Sequence, residues 1–420
     1  MLKRINNDRK IIAATGVSHF LIHSYEFIFP TVLVMVGMEF QIDFAILGIL
    51  ANISYLFIGL GSLPSGYFAD RVGSLNIMKI CLLGAVIASV IIGFSNGIYM
   101  LAAGLTILGA SLSLYHPSGL SLISRHARDI GHSFGIHGVS GSMGLALSPF
   151  IAGLIAAKFG WRGSYFAFAF LGIMAVAFLF SLRLKEKNFK ETCSPEKNDE
   201  VRIPERINRK ALLLTFLLQM LCGFCYRGVM TFLPAYMGQN ISGKLTTLFA
   251  QHAGVARGGM ATTLVLLVGM FGQYAGGWLS RRVRPALLFA VLIGLSLPFT
   301  MLIGLSHESW LILSASLFAF FHFSAQPVSN SLVAHFTPFR WQSLGFGIGF
   351  MLGFGFGSFA SSFAGFVAQT SGIDRIFIFI GIFTALPLLI AMLIHKLSKD
   401  EVFHKVDEKP PHPEVLMKSF

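Results

Sequence analysis

Charged side chains are scarce in this sequence. Only 12% of its 420 residues are Asp, Glu, Lys or Arg, and 54% are hydrophobic, whereas a soluble domain carries about 25% charged residues. The mean hydropathy of the chain is +0.71. These values indicate that water does not solvate most of the chain, and they exclude an ordinary soluble globular protein.

Cysteine is also rare, with four in the whole chain. Cys193 lies in a charged stretch, and Cys222 and Cys225 form a C-x-x-C inside an apolar run. A redox or zinc role for this pair needs partners and access that the neighbouring residues do not supply, so packed thiols are predicted. The sequence has no nucleophile–base pair, paired carboxylates or metal-ligand cluster, and it therefore predicts no enzyme, no metal site and no cofactor.

Long apolar runs, by contrast, are abundant. A run of roughly 20 apolar residues spans a bilayer as a helix, and these runs lack the alternation of barrel strands. Twelve spans are predicted, at approximately 11–37, 44–67, 77–96, 98–123, 133–157, 163–182, 211–237, 261–279, 286–305, 310–334, 343–368 and 376–395. The predicted fold class is an all-α polytopic membrane protein.

The basic residues are distributed unevenly about these spans. The net charge is +13, yet only five Lys or Arg fall in the predicted outer loops: Lys158, Arg162, Lys244, Arg257 and Arg375. By the positive-inside rule, both termini are then cytoplasmic. The basic face is expected to contact anionic lipid headgroups rather than nucleic acid. The predicted location is the inner (cytoplasmic) membrane of a bacterium.

The two halves of the chain repeat each other. His116-Pro117 corresponds to Gln326-Pro327 at an offset of 210 residues, and Pro30 corresponds to Pro234 at an offset of 204. Two pseudo-symmetric six-helix bundles with a substrate site at their interface are therefore predicted. The predicted divisions are a cytoplasmic arm 1–10, a first bundle 11–184, a charged linker 185–209, a second bundle 210–397 and a cytoplasmic tail 398–420.

A short charged motif follows the second span, reading from Gly66 through Asp70 and Arg71 to Gly73. It resembles the G-x-x-x-D-R-x-G motif of the major facilitator superfamily. The resemblance implies that Asp70, with Arg71 and the two glycines, bonds to the other half and latches one conformation. Ser280 replaces the acid in the second repeat, so only the first copy is expected to latch. The alternative is a charged turn that only fixes topology.

The fifth span carries Gly144, Ser148, Pro149 and Gly153. This series is similar to the G-x-x-x-G-P-x-x-G-G motif of the proton-antiporter branches of the superfamily, which favours export over import. Ordinary small-residue packing is the alternative.

Three further sequence segments resemble the fosmidomycin-resistance type of efflux protein: Ser18-His19-Phe20, 115–119 and 135–138. That type often has a carboxylate where this chain has His23, so the residue that couples proton movement stays open.

Few ionisable residues lie inside the predicted spans. His19, His23 and Glu26 share one face of the first span, Glu26 is the only acid deep in any span, and Arg227 is the only Lys or Arg there. A charge at mid-bilayer costs roughly 2.5–3.5 kcal/mol or more and needs a partner or a watery cavity. His23 and Arg227 each lie seven residues before a proline, at positions related by the repeat. The sequence therefore predicts that Glu26 and Arg227 share the central cavity, with His23 between them.

Each of these residues has a predicted role. Arg227 is expected to anchor a carboxylate, phosphonate or phosphate of a substrate, and Glu26 or His23 to take up the coupling proton. A static Glu26–Arg227 pair that joins the halves is the alternative. The remaining candidates for substrate binding are His19, His116, His322, Gln326 and Asn330, although helix packing also accounts for the histidines.

The sequence thus predicts a secondary active transporter, a monomer driven by the proton gradient, that exports a small amphipathic or anionic compound by alternating access. The alternatives are a proton-coupled importer of an organic acid or siderophore, and a non-transporting sensor or assembly factor on the same fold. Divalent metal transport is a weaker alternative, since His19 and His23 have no acid or Met partners in the sequence pattern.

Overall fold

The computed structural model describes residues 2–127, 130–182, 184, 208–242, 253–337 and 342–398, although not the side chains of Asp70 and of a few residues near the gaps. No strand occurs among these residues, so the predicted all-α class is confirmed. The helices are α1 Leu2–Glu26, α2 Ile28–Phe40, α3 Phe44–Val72, α4 Ser74–Gly93, α5 Ile98–Leu112, α6 Tyr115–His126, α7 Ile130–Ser181, α8 Arg209–Asn240, α9 Ala253–Leu279, α10 Pro285–Leu305, α11 Glu308–Phe336, α12 Gln342–Phe350, α13 Phe359–Ser371, α14 Ile373–Phe383 and α15 Ala385–Leu397. Helix α1 begins inside the predicted arm, and the predicted linker and tail lie almost wholly outside the described residues.

The helices are long and apolar enough to cross a membrane, as predicted. In the described part of the chain, 11 helical segments are long and apolar enough to span a bilayer. The longest is α7, which breaks at Gly160, where φ is +76°. Glycine adopts this conformation without steric cost, and the break falls between the predicted spans 133–157 and 163–182. Because α7 therefore supplies two crossings, the structure has the twelve that the sequence predicts.

The first span is interrupted where Glu26 lies. Helix α1 ends at Glu26 and α2 begins at Ile28. Pro30 has no N–H, so it cannot bond to the backbone carbonyl of Glu26 four residues earlier. The hydroxyl of Tyr55 on α3 donates to that carbonyl instead, at 2.9 Å. Inside a membrane such a freed carbonyl needs a partner from the protein, and Tyr55 thus ties the interruption to α3.

The two halves, α1–α7 and α8–α15, approach each other closely at the end where α3 and α9 begin. A side chain at Gly48 on α3 would collide with the backbone carbonyl of Ser361 on α13. A side chain at Gly259 on α9 would collide with the carbonyl of Pro149 on α7. Glycine is required at these two positions because backbone lies against backbone. We refer to this region as the glycine seam.

The glycine-rich eleventh span is helical but changes its winding twice. After α12, residues Met351–Gly355 form a π-helical segment and Phe356–Ser358 a short 3₁₀ segment before α13. π-Helical segments occur frequently at functional sites. Here Phe350 immediately precedes the π-helical segment and Phe354 lies within it, and both line the cavity between the halves.

Candidate functional site

A cavity of about 380 Å³ lies between the two halves. Its lining comes from α1, α6 and α7 of the first half and from α8, α9, α10, α11, α12 and the π-helical segment of the second. The lining extends from the ion-pair residues toward the end of the bundle opposite the glycine seam. All the candidate residues for coupling and substrate binding line it: His19, His23, Glu26, His116, Arg227, His322, Gln326 and Asn330.

An ion pair joins the halves at the cavity wall. The Glu26 Oε2 atom on α1 lies 2.9 Å from a terminal guanidinium nitrogen of Arg227 on α8, which donates a hydrogen bond to it. Both side chains are only 2% exposed. Since neither charge has water to solvate it, each depends on the other, and removing one partner of such a pair is strongly unfavourable.

Aromatic rings surround the Arg227 guanidinium. Its central carbon lies 3.6 Å from the ring centre of Tyr55, 5.0 Å from Phe354 and 5.2 Å from Tyr226. Cations at these distances from a ring face are stabilised by its quadrupole. The second terminal nitrogen of Arg227 is buried and has no hydrogen-bond partner among the described residues.

Histidines extend the ion pair through the first half. His23 Nδ1 lies 2.9 Å from Glu26 Oε1, within ion-pair distance, although the approach does not meet hydrogen-bond directions. His23 Nε2 lies 3.0 Å from His19 Nε2, and His19 Nδ1 lies 2.7 Å from the backbone carbonyl of His137 on α7. His23 and Arg227, related by the repeat, therefore contact the two oxygens of one carboxylate. The prediction that His23 lies between Glu26 and Arg227 is wrong, because Glu26 is the central member of the three.

Several contact residues were not among the sequence candidates. The ring of His137 stacks on His19 with centroids 3.9 Å apart, and Tyr115 OH lies 3.4 Å from His137 Nδ1. Tyr55 and Tyr226 flank Arg227. The only signal for His137 and Tyr115 was their presence in the phrases that resemble an efflux family, because helix spacing does not place α6 or α7 against α1.

The second half contributes an amide-rich wall. His322, Gln326 and Asn330 follow each other at four-residue spacing along α11, so they share one face. Gln273 on α9 donates to Gln326 Oε1 at 3.0 Å, and its own Oε1 accepts from Ser142 on α7 at 2.9 Å. This last bond crosses between the halves. The wall thus offers hydrogen bonds without a formal charge.

The predicted latch is described only in part. Helix α3 ends at Val72, and Gly73 follows with φ +94°, its N–H bonded to the carbonyl of Ala69 at 3.0 Å. The positive φ explains why glycine stands there. The guanidinium of Arg71 lies 4.3 Å from the ring centre of Tyr67. The side chain of Asp70 is outside the described residues, so its latching role stays a prediction.

The antiporter-type motif contacts helices of both halves. Ser148 donates to the carbonyl of Ser24 at 2.5 Å, and a side chain at Gly144 would collide with the backbone of α1. Pro149 and Gly153 face α9 in the glycine seam. Small residues permit these approaches. The motif is therefore at least a packing element, next to the interruption that carries Glu26.

The two cysteines of the C-x-x-C are unbridged, together with Cys81. Cys225 is buried, and its sulfur lies 3.5 Å from the hydroxyl oxygen of Thr384, while Cys222 reaches the cavity lining. Cys225 is therefore a packed thiol, as predicted, whereas Cys222 is partly exposed at the cavity.

Two helical bundles around a central cavity, with a buried ion pair between them, define a polytopic membrane transporter rather than an enzyme. Residues 15–362 match the Major Facilitator Superfamily, and the chain belongs to that family.

Curated relatives are similar over part of their length. The methylenomycin A resistance protein of Bacillus subtilis is 27% identical over 175 residues, which are 39% of this chain and 38% of that protein. The quinolone resistance protein NorB of Staphylococcus aureus is 24% identical over 140 residues, which are 33% of this chain and 30% of that protein. The matches thus span well under half the length of either relative.

Solved structures share the fold over nearly the whole chain. A bacterial homolog of the human lysosomal transporter Spinster, in an inward-facing and occupied conformation, has a TM-score of 0.78 at 14% identity and covers 95% of this chain and 99% of its own. A POT family transporter in complex with 5-aminolevulinic acid has a TM-score of 0.73 at 16% identity, with 93% of this chain and 96% of its own covered. At these identities the likeness concerns the fold alone.

Proposed function

We propose that the protein is a proton-coupled efflux transporter that exports a small compound, amphipathic or bearing an anionic group, by alternating access. The observation that carries the proposal is the buried Glu26–Arg227 pair between the halves. Its members line the cavity, so a compound that enters can take the place of either. Breaking the pair also removes a bond between the halves, which links binding to their relative movement.

The sign of the coupling depends on which member of the pair a compound displaces. A compound that donates hydrogen bonds to the Glu26 carboxylate competes with a proton for the same oxygens. When Glu26 is protonated, binding of the compound releases that proton, and by reciprocity protonation of Glu26 releases the compound. Exchange of one for the other across the membrane is antiport, in which proton entry drives export.

Two observations support export. The fifth-span motif resembles that of proton-antiporter branches, and its residues pack against the interruption that carries Glu26. The two named relatives are resistance proteins toward methylenomycin A and quinolones. Within the superfamily, the histidine phrases favour the fosmidomycin-resistance type of efflux protein. We extend these indications to this chain as a proposal.

Everted membrane vesicles with an imposed pH gradient, acid inside, test the proposal. We expect a compound from a panel that includes a quinolone and fosmidomycin to accumulate inside and to dissipate the gradient. Glu26→Gln should abolish the coupled proton movement. Glu39→Gln is the matched control, because its carboxylate is 42% exposed and lies outside the cavity. Accumulation that is unchanged in Glu26→Gln would remove Glu26 from the mechanism.

The runner-up is a proton-coupled importer of an organic acid or siderophore. A compound bound mainly through its own anionic group competes with Glu26 for Arg227. The Glu26 carboxylate is then buried without its partner. Neutralising it requires a proton, so proton and anion bind together. Binding to purified protein would then take protons up from the solution instead of releasing them. The unpartnered nitrogen of Arg227 is the observation that favours this candidate.

A non-transporting sensor or assembly factor is a third candidate. It is favoured if single substitutions of Glu26, His23 and Arg227 leave the cellular phenotype intact.

We place the protein in the inner membrane of a bacterium, with both termini cytoplasmic, because the basic residues gather on that side. We also propose that it is a monomer. The glycine seam then closes the outer face, and the cavity extends toward the cytoplasm. Asp70 and Arg71 lie at the cytoplasmic end of α3, where an acid could bond to the other half.

A further inference from the structure

Three imidazole rings meet at the cavity wall in the first half. His19 and His23 come from α1 and His116 from α6, and one ring nitrogen of each lies within 4.8 Å of those of the other two. We propose that these three residues bind a divalent transition-metal ion of the zinc class, with one coordination position open to the cavity. This proposal concerns a binding site and does not depend on the direction of transport.

Each of the two α1 histidines has its Nδ1 atom close to an oxygen atom, and for His19 the contact is a hydrogen bond. His19 Nδ1 lies 2.7 Å from the His137 carbonyl oxygen, and His23 Nδ1 lies 2.9 Å from Glu26 Oε1. A metal-bound histidine almost always directs its second ring nitrogen to a carbonyl or carboxylate, which fixes the ring. With hydrogens on both Nδ1 atoms, the two Nε2 atoms present lone pairs to each other at 3.0 Å. A proton held between them in a hydrogen bond, or a metal ion bound to both, relieves their repulsion.

The third ring supplies an unsatisfied nitrogen. His116 Nε2 is buried and has no hydrogen-bond partner among the described residues, which is costly for a polar atom. The ring is stacked on Phe350 at 5.6 Å and lies 5.4 Å from His19 and 5.3 Å from His23. Nitrogens bound tetrahedrally to one zinc ion at about 2.0–2.1 Å are about 3.4 Å apart. A displacement of His116 by about 1.4 Å or less, within reach of a side-chain rotation, therefore completes the site.

The ligand set selects the class of ion. Imidazoles suit zinc, nickel, copper and cobalt, whereas magnesium and calcium require oxygen ligands. Three protein ligands leave a fourth position for water or another oxygen donor, and all three rings line the cavity. Because the three residues belong to one half, movement of the halves as rigid bodies leaves the site intact. The ion is thus a resident one, which adds positive charge to the cavity and attracts oxygen-donor groups of a compound.

The sequence alone predicted no metal site, since His19 and His23 lacked further partners there. Their partners come from elsewhere in the fold. The third imidazole arrives from α6 and the orienting carbonyl from α7, whereas the orienting acid, Glu26, is a neighbour on α1 itself.

Zinc binding to the purified full chain tests the proposal. The protein is prepared without a polyhistidine tag, stripped with a chelator and dialysed against zinc alone, and the bound metal is measured. We expect one tightly bound ion per chain. His116→Gln should lower the affinity for zinc by at least roughly 10–100-fold, which is the loss expected when only an orienting partner of a ligand is removed. His322→Gln, which removes a cavity histidine of the second half, is the matched control and should bind as the wild type does.

Two further measurements separate metal binding from folding. Cobalt in place of zinc should give the visible absorption of a tetrahedral nitrogen-coordinated ion in the wild type and in His322→Gln only. At the same zinc concentration, zinc should raise the unfolding temperature of these two proteins more than that of His116→Gln, since stabilisation by a ligand grows with its affinity for the folded state. His19→Gln replaces His116→Gln if the latter does not fold. A wild type that holds no zinc and gives no such cobalt spectrum, or a His116→Gln that binds as tightly as the wild type, overturns the proposal.

Discussion

The two halves of the molecule share a scaffold but differ in the chemistry that they bring to the cavity. The first half carries four clustered imidazoles, His19, His23, His116 and His137, together with the only acid of the cavity lining. The second half carries a permanent cation, Arg227, and a wall of amides. Gene-duplicated transporters place their sites at such repeat interfaces. Here the repeat has placed a titratable ring and a fixed charge at equivalent positions, on either side of one carboxylate.

Their main chains differ at the same place. The first half breaks its helix at Phe27, between α1 and α2, and the hydroxyl of Tyr55 compensates the exposed carbonyl. In the second half α8 runs from Arg209 to Asn240 without interruption, although it contains Pro234. The comparison indicates that the first half holds its ionisable group at a locally irregular backbone, whereas the second half presents Arg227 from a continuous helix.

The largest expected effect comes from removing the fixed charge. Arg227→Gln leaves Glu26 buried without its partner, which should cost about 3–5 kcal/mol of stability and abolish transport. His23→Gln is the matched variant, at the equivalent position in the other half and against the same carboxylate. It should cost much less, because Arg227 still compensates Glu26. Thermal unfolding in detergent and vesicle transport measure both, and equal losses in the two variants would contradict the contrast drawn between the halves.

An intermediate effect is expected where the halves meet. Gly259→Ala drives a methyl group into the Pro149 carbonyl of the other half, and overpacking of this kind costs about 1–3 kcal/mol. Gly277→Ala on the same helix is the control, since its new methyl would meet only Pro327 Cβ at 3.9 Å. Alanine there should be neutral or stabilising by about 0.5–1 kcal/mol. Similar unfolding temperatures for the two variants would show that the halves do not need their close backbone approach.

The smallest effect concerns the interrupted helix. Tyr55→Phe removes the hydroxyl that satisfies the Glu26 carbonyl, so the variant should lose about 1–2 kcal/mol, the usual cost of an unmade buried bond. Tyr165→Phe removes an equally buried hydroxyl that has no partner among the described residues, and it should be neutral or stabilising. Denaturant or thermal unfolding of the pair decides whether Tyr55 supports the interruption or merely packs there.

The spans and the central ion pair followed from the sequence because each had a strong signal. Apolar length predicts membrane helices directly, and Glu26 and Arg227 stand out as the acid and the base deep in the spans. The surroundings of the pair carried no such signal. Tyr55 and Tyr226 are two of nine tyrosines, and only the packing of α3 and α8 shows which of them reach Arg227. The clustering of His116 and His137 around His19 likewise depends on contacts between distant helices, which periodicity does not encode.

The glycine seam has a consequence for reversibility. Interlocking side chains lose about 0.5–1.5 kcal/mol of rotamer freedom each whenever such an interface forms again. Gly48 and Gly259 have no rotamers to lose, and their contacts are made by backbone that is already rigid within a helix. A closure of this kind can come apart and re-form many times with little entropic penalty, which suits the alternating access proposed for this protein.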